Sequence, residues 1–185
     1  MVVTNMNSKN QISLQPRTIV RGLLLLCAIF VSFLYLNNDI GEHKNLLESD
    51  IRSSQRIQDD WIVDGTVSDS VAAFISYPED KSDHTYSVYV NRPGLSFGYF
   101  FRGGGSLTEV DKYVSEYRIQ GYSERAFICM NEQKVARLEI DDGNTVQIID
   151  MDSEYPFALV LPINIGIVTF YDVCGNVVEY ITRLL

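Results

Sequence analysis

The chain has 185 residues, of which 46% are hydrophobic, and its formal net charge is −9. This charge is unevenly distributed: residues 1–36 carry three basic and no acidic side chains, whereas residues 37–185 carry 12 basic and 24 acidic ones. An acidic domain of this kind repels nucleic acid and anionic lipid headgroups, so both are excluded as predicted partners.

The first predicted element is a transmembrane helix at residues 18–36, which carries no charge from Gly22 onward. Nineteen residues at helical rise span roughly 28 Å, close to the ~30 Å hydrocarbon core of a bilayer. Basic residues collect on the cytoplasmic side, which predicts a cytoplasmic tail at residues 1–17 and a C-terminal domain outside the cell membrane. A cleaved signal peptide is the main alternative, but residues 32–36 lack the pair of small residues that cleavage needs.

Residues 37–60 are predicted to form a polar, loosely packed stalk. Their apolar residues are too sparse for a strong amphipathic face, although the absence of proline permits a helix within residues 42–58. Residues 61–185 are then left for one extracytoplasmic domain of ordinary size.

Short runs of β-branched and aromatic residues alternate with turn signals in this domain, a pattern typical of antiparallel sheet. The predicted strands are Val71–Tyr77, Thr85–Val90, Leu95–Phe101, Ala126–Met130, Lys134–Ile140, Thr145–Met151, Phe157–Leu161, Ile165–Tyr171 and Val177–Thr182. One segment has a helical period instead, because Leu107, Val110, Val114 and Tyr117 recur at spacings of three and four. The predicted fold class is α+β: an N-terminal transmembrane helix, then a mainly antiparallel β-sheet domain with one packed helix at about residues 107–119.

Two hairpins allow a prediction of register. If the apolar residues on both strands around Asp141–Asn144 share one face, the loop has an odd number of residues and Leu138 pairs with Val146. The same arrangement around Asp172–Asn176 pairs Phe170 with Val178.

A candidate anion site is formed by Arg102, Gly103, Gly104, Gly105 and Ser106, which join a strand to the predicted helix. Backbone N–H groups at a helix start, with a guanidinium beside them, are suited to an anion. The alternative is that the glycines serve only as a sharp connector.

A candidate cation site is formed by Asp150, Asp152 and Glu154. On an extended backbone, these alternating carboxylates project to one side and supply the oxygen ligands that Ca²⁺ prefers. The alternative is a solvated acidic turn before Pro156.

A candidate interaction patch consists of Tyr89 and Phe100, if both rings face outward on the sheet. The alternative is that the predicted helix covers this face. Cys129 and Cys174 are predicted to be isolated thiols, although an oxidising compartment permits them to pair.

By elimination, the sequence favours a function without catalysis or cofactor: a membrane-anchored extracytoplasmic module that binds or regulates another membrane or envelope component. Its predicted partners are the lipid bilayer, through residues 18–36, and a protein. The alternative is a domain that senses a small anion or divalent cation through one of the two candidate sites. An envelope hydrolase comes third. His43 and His84 are the candidate imidazole bases, but neither lies in a recognisable catalytic motif, and His84 is predicted to lie in a surface loop.

Overall fold

The computed structural model describes residues 16–92 and 96–185, so most of the predicted cytoplasmic tail lies outside the described residues. The chain divides into two compact units, residues 1–39 and residues 40–185. In the first unit, helix α1 runs over Pro16–Leu36. Its segment Ile19–Leu36 has a mean hydropathy of 2.4 and, by length and composition, is able to cross a membrane.

The C-terminus of α1 is closed by a Schellman motif. Asn38 adopts a left-handed conformation with φ of 53°. The N–H of Asp39 donates to the carbonyl oxygen of Leu34 at 2.9 Å, and the N–H of Asn38 donates to that of Tyr35 at 3.2 Å. Asparagine tolerates the left-handed region better than most residues, so the polar sequence after Leu36 ends the helix sharply.

The second unit contains a short 3₁₀ helix, two α-helices and twelve strands within the described residues. The helices are the 3₁₀ helix Lys44–Leu46, α2 at Leu47–Ser54 and α3 at Thr108–Lys112. The strands are β1 Ile62–Val67, β2 Val71–Tyr77, β3 Thr85–Asn91, β4 Tyr99–Gly105, β5 Val114–Arg118, β6 Glu124–Cys129, β7 Val135–Asp141, β8 Val146–Asp150, β9 Phe157–Pro162, β10 Ile167–Asp172, β11 Val177–Val178 and β12 Tyr180–Leu184.

These strands form three four-stranded sheets among the described residues. The first sheet has the order β1-β2-β3-β4, the central sheet β12-β5-β6-β9 and the outer sheet β11-β10-β7-β8. Strands β12 and β5 are parallel, and the other strand pairs are antiparallel. The predicted α+β class, with an N-terminal apolar helix and mainly antiparallel sheet, is confirmed.

Hydrophobic clusters place these elements in layers. Between the first and central sheets, Ile75 and Val88 meet Ile128, and the rings of Tyr86 and Tyr117 stack with centroids 4.8 Å apart. A second cluster packs the other face of the central sheet on the outer sheet, and a third packs α2 on the first sheet. Two faces of the central sheet are therefore covered, so its inner strands are buried along their length.

The stalk predicted at residues 37–60 is wrong as a loosely packed segment at α2, which packs on the domain, although a helix within residues 42–58 agrees with what the sequence permits. Leu47 and Ile51 are fully buried and pack against Phe74, Tyr89 and Tyr99 of the first sheet. Two apolar residues four positions apart suffice to bury one face of a helix this short.

The predicted helix over 107–119 is wrong in its extent, because α3 ends at Lys112 and β5 follows at Val114. Strand β5 lies between β12 and β6, with Val114 and Tyr117 both buried. Apolar residues on both faces of a central strand reproduce the spacing of a helical stripe by coincidence.

One predicted hairpin pair next to its turn is confirmed, although Tyr180 further along that strand pairs with Val114 of β5 instead of continuing the hairpin. The register predicted for the other hairpin is wrong. Phe170 pairs with Val178, as predicted. Leu138, however, pairs with Ile149 rather than Val146, and Asp141 pairs with Val146. Val146 is 54% exposed, so the assumption that the apolar residues of both strands share the buried face does not hold.

Candidate functional site

The predicted anion residues 102–106 lie in and just after the edge strand β4, and not in a loop at a helix start. Gly103 and Gly104 pair with Val88 and Ser87 across the first sheet. A Cβ atom at Gly104 would lie 2.5 Å from the carbonyl oxygen of Tyr86, so this glycine permits close packing of two strands. The premise of the anion site is therefore wrong for Arg102–Gly104. The alternative connector fits only Gly105, which ends β4 with φ of 133° three residues before α3 begins. The predicted strand start at Leu95 lies outside the described residues.

The predicted cation residues do not converge. The carboxylate of Asp152 accepts a hydrogen bond from the N–H of Glu154 at 2.9 Å, and that of Glu154 pairs with the Lys134 ammonium at 3.3 Å. Asp150 ends β8 opposite Arg137. Within 16–92 and 96–185, no three His, Cys, Asp or Glu side chains are grouped to hold a metal ion. The joint cation site at 150–154 is therefore wrong.

The predicted patch is wrong at Tyr89, which is fully buried. Its hydroxyl donates to the Asp50 carboxylate at 2.6 Å, which ties α2 to the first sheet. Burial, and then this hydrogen bond, raises the pKa of Tyr89 well above its ordinary value. Phe100 is half-buried, and the Arg92 guanidinium carbon lies 4.0 Å from its ring centroid.

A groove of about 320 Å³ opens beside strands β1, β8 and β9. Its apolar lining includes Ile149 and Leu159, which pack against the cluster between the central and outer sheets. Its charged side chains are the carboxylates of Asp64, Asp150 and Asp152, and no basic side chain occurs among the described lining residues. Such a surface is complementary to a ligand that is both apolar and cationic.

Strand β8 borders this groove and is the last strand of the outer sheet, so one of its edges is open among residues 16–92 and 96–185. Just beyond the end of β8, the N–H of Met151 donates to the carbonyl of Ala136 in β7 at 2.9 Å. Because backbone groups alternate in direction along an antiparallel strand, Val146, Ile148 and Asp150 direct their N–H and C=O groups to the open edge. An unpaired row of this kind is a template for an added strand.

The side chains at the open edge are exposed and largely apolar. Val146 is 54% exposed and Ile148 is 57% exposed. Ile167 of β10 is also exposed and occupies the same cross-strand row as Asp141 and Val146. Backbone donors and acceptors therefore coincide with an apolar surface, and this open edge together with the groove is the candidate binding site.

The central sheet contains a buried charged network that sequence patterns did not reveal. Glu116 is fully buried and accepts hydrogen bonds from Arg125 at 2.7 Å, Arg118 at 3.1 Å and Thr182 at 2.5 Å. Burial alone would raise the pKa of this carboxyl, but the three hydrogen bonds together lower the pKa below its ordinary value. The network joins β5, β6 and β12 and has a structural role.

His84 is buried, so its predicted position in a surface loop is wrong. Its Nδ1 lies 2.8 Å from the Asp111 carboxylate, and its Nε2 contacts both backbone polar groups of Leu107. These contacts fix α3 to the start of β3. Sequence patterns indicate these contacts only weakly, because Leu107 and Asp111 are more than twenty residues away from His84 in the sequence.

No protein-family model, curated protein or solved structure matches this chain.

Proposed function

We propose that this protein is a single-pass, membrane-anchored binding module without catalytic activity. Helix α1 crosses the membrane, the N-terminus is cytoplasmic, and the domain at residues 40–185 lies outside the cell membrane. The length and hydropathy of α1 support the anchor. The basic residues before α1, and the acidic domain after it, support the orientation.

The domain binds a protein partner of the membrane or envelope by strand addition at β8. The observation that carries this proposal is the open edge, where unpaired backbone groups coincide with exposed Val146 and Ile148. Main-chain hydrogen bonds give affinity in this mode of recognition, and the neighbouring side-chain pockets give specificity. The groove supports a partner strand that alternates apolar and basic residues, because its carboxylates lack basic neighbours among the described lining residues.

Photo-crosslinking in intact cells tests the partner site. A photoreactive residue at Val146 is expected to form an adduct with one partner of defined mass. The same residue at Val173, an exposed turn position away from β8, is the matched control and is expected to form none. Recovery of the protein alone from both positions would contradict partner binding.

A proline variant tests whether the contact is an added strand. The N–H of Ile148 points to the open edge, so Ile148→Pro removes a donor to the partner without removing a bond to β7. The adduct from Val146 is expected to disappear in this variant while circular dichroism stays unchanged. An undiminished adduct would mean that the partner contacts side chains without joining the sheet.

Protease added to whole cells tests the orientation. Cleavage of the C-terminal domain is expected in intact cells, because the proposal exposes it to the outside. A domain cut only after the cells are lysed would contradict the proposed orientation.

A further inference from the structure

A second exposed apolar surface lies where the domain begins. We call it the Ile40 patch and define it by Ile40, Phe97, Phe100 and Arg92. Ile40 forms a β-bridge with Phe97, and the N–H of Gly41 donates to the carbonyl of Phe97 at 2.7 Å. Ile40 is 47% exposed and Phe97 is 56% exposed.

Phe100 and Arg92 are continuous with this pair. A Cβ atom at Gly41 would lie 3.0 Å from the Phe100 ring, so the ring packs on the backbone beside Ile40. The Arg92 guanidinium lies over the Phe100 ring, with its carbon 4.0 Å from the ring centroid. Arg102 is exposed two positions further along β4. The patch thus combines aliphatic, aromatic and guanidinium groups.

The connection between α1 and this patch is short. Only Asn37, Asn38 and Asp39 separate Ile40 from Leu36, the last residue of α1. Four residues of extended chain reach at most about 14 Å. The polar interfacial layer of each leaflet is about 5–8 Å thick, so Ile40 lies within reach of this layer wherever α1 leaves the membrane.

The chemistry of the patch fits that layer. Aromatic side chains are enriched at membrane–water interfaces, and arginine places its aliphatic stem in apolar surroundings while its charge stays hydrated. The Arg92 guanidinium of the patch, with Arg102 beside it, lies in a domain that has 12 basic and 23 acidic residues. An acidic domain tethered at a surface needs such a contact to approach lipid closely, because its net charge opposes anionic headgroups.

We propose that the Ile40 patch inserts into the interfacial layer of the leaflet from which α1 emerges, and that neutral lipid suffices for this contact. The inference rests on the membrane span of α1, which is part of the proposed function. It goes beyond that function because it assigns a lipid-binding surface to the domain itself. The contact restricts the rotation of the domain and so fixes the direction in which β8 is presented.

Tryptophan fluorescence of the full chain in phosphatidylcholine nanodiscs tests this proposal. The chain has a single tryptophan, Trp61, so Trp61→Phe provides a silent background. In that background, Phe97→Trp is expected to emit at shorter wavelength and to be quenched by lipid brominated near the headgroup end of its chains. Tyr155→Trp, at an exposed position beside the groove, is the matched control and is expected to show no quenching.

Two further variants make the outcomes decisive. Phe30→Trp, within α1, is expected to be quenched by lipid brominated near the chain ends, which reports the span independently. Quenching at position 30 without quenching at position 97 overturns the lipid contact and leaves the anchor intact. No quenching at position 30 overturns the anchor, which belongs to the proposed function.

The last variant asks whether the patch acts as a unit. Ile40→Ser, combined with Phe97→Trp, is expected to reduce quenching at position 97, because it removes the neighbouring apolar contact without changing a buried residue. Unchanged quenching would show that the ring alone meets the lipid and would overturn the patch. Quenching that requires added anionic lipid would overturn the claim that neutral lipid suffices.

Discussion

Replacing Glu116 by alanine removes the acceptor of three hydrogen bonds inside the central sheet. The change leaves Arg125 without its carboxylate partner; this arginine is 4% exposed, and its Nε already lacks a hydrogen-bond partner in the part of the chain that the structure describes. Removal of one member of a buried ion pair typically costs about 3–5 kcal/mol, because the other charge stays buried without compensation. Domains of this size are stable by about 5–15 kcal/mol, so a large share of the stability is at risk.

Urea unfolding of the full chain in detergent micelles, followed through Trp61 fluorescence, measures this loss. We expect Glu116→Ala to lower the free energy of unfolding by about 3–5 kcal/mol. Glu116→Gln keeps the shape and an acceptor, so its cost is expected to be about 1–3 kcal/mol. Glu132→Ala, at an exposed turn position, is the matched control. A loss below about 1 kcal/mol for Glu116→Ala would refute the argument that the network holds three strands together.

The same network predicts a pH dependence. The pKa of Glu116 is lower in the folded protein than its ordinary value of 4.5. Its contribution to stability is therefore fully present above the unfolded pKa and is lost as the pH falls through the folded pKa. Acid unfolding should accordingly begin below about pH 4.5, and the fall should be shallower in Glu116→Gln. Identical acid limbs for both proteins would contradict the lowered pKa.

Three further predictions concern buried polar and thiol groups. His84→Ala removes the contact with Asp111 and should lower the free energy of unfolding by about 2–3 kcal/mol, with faster amide exchange in α3. Unchanged amide exchange would contradict the role of His84 in holding α3 on the sheet. Asn131 is buried with φ of 62°, and its side-chain amide N–H groups face three carbonyl oxygens, so Asn131→Ala should lower the free energy of unfolding in urea by about 2–4 kcal/mol. Asn131→Asp tolerates the left-handed region equally but lacks the amide donors, so a cost well below that of Asn131→Ala would point to backbone strain instead. Burial raises the pKa of Cys129 to about 12, so maleimide should label exposed Cys174 and spare Cys129 in the native protein. Peptide mass spectrometry would detect the labelled thiols, and rapid labelling of Cys129 would place it at the surface.

Sequence alone predicted the elements whose structure depends on neighbours in the chain. The uninterrupted apolar run predicted α1, and alternating β-branched residues predicted β2 and β3 close to their observed bounds. The pairing of Phe170 with Val178 was also predictable, because both side chains face the core and a short loop joins them.

The errors arose where a partner from a distant part of the chain decides the structure. The helical spacing through Val114 and Tyr117 belongs to a strand, because β12 and β6 enclose it on both sides. The candidate sites at 102–106 and 150–154 were inferred from the local backbone alone, and the pairing of β4 and β8 in their sheets decides where these residues lie. The burial of His84 and of Glu116 could not be inferred, since their charged partners occur in separate elements.

The sequence by itself determined the apolar N-terminal helix, the acidic domain after it and the sheet-rich class, because hydropathy and local backbone preference are properties of short segments. Only the tertiary structure decided which edges and faces remain uncovered. The open edge of β8 exists because β8 is the last strand of the outer sheet, and the Ile40 patch exists because Ile40 bridges Phe97, and both depend on pairing between separate segments of the chain.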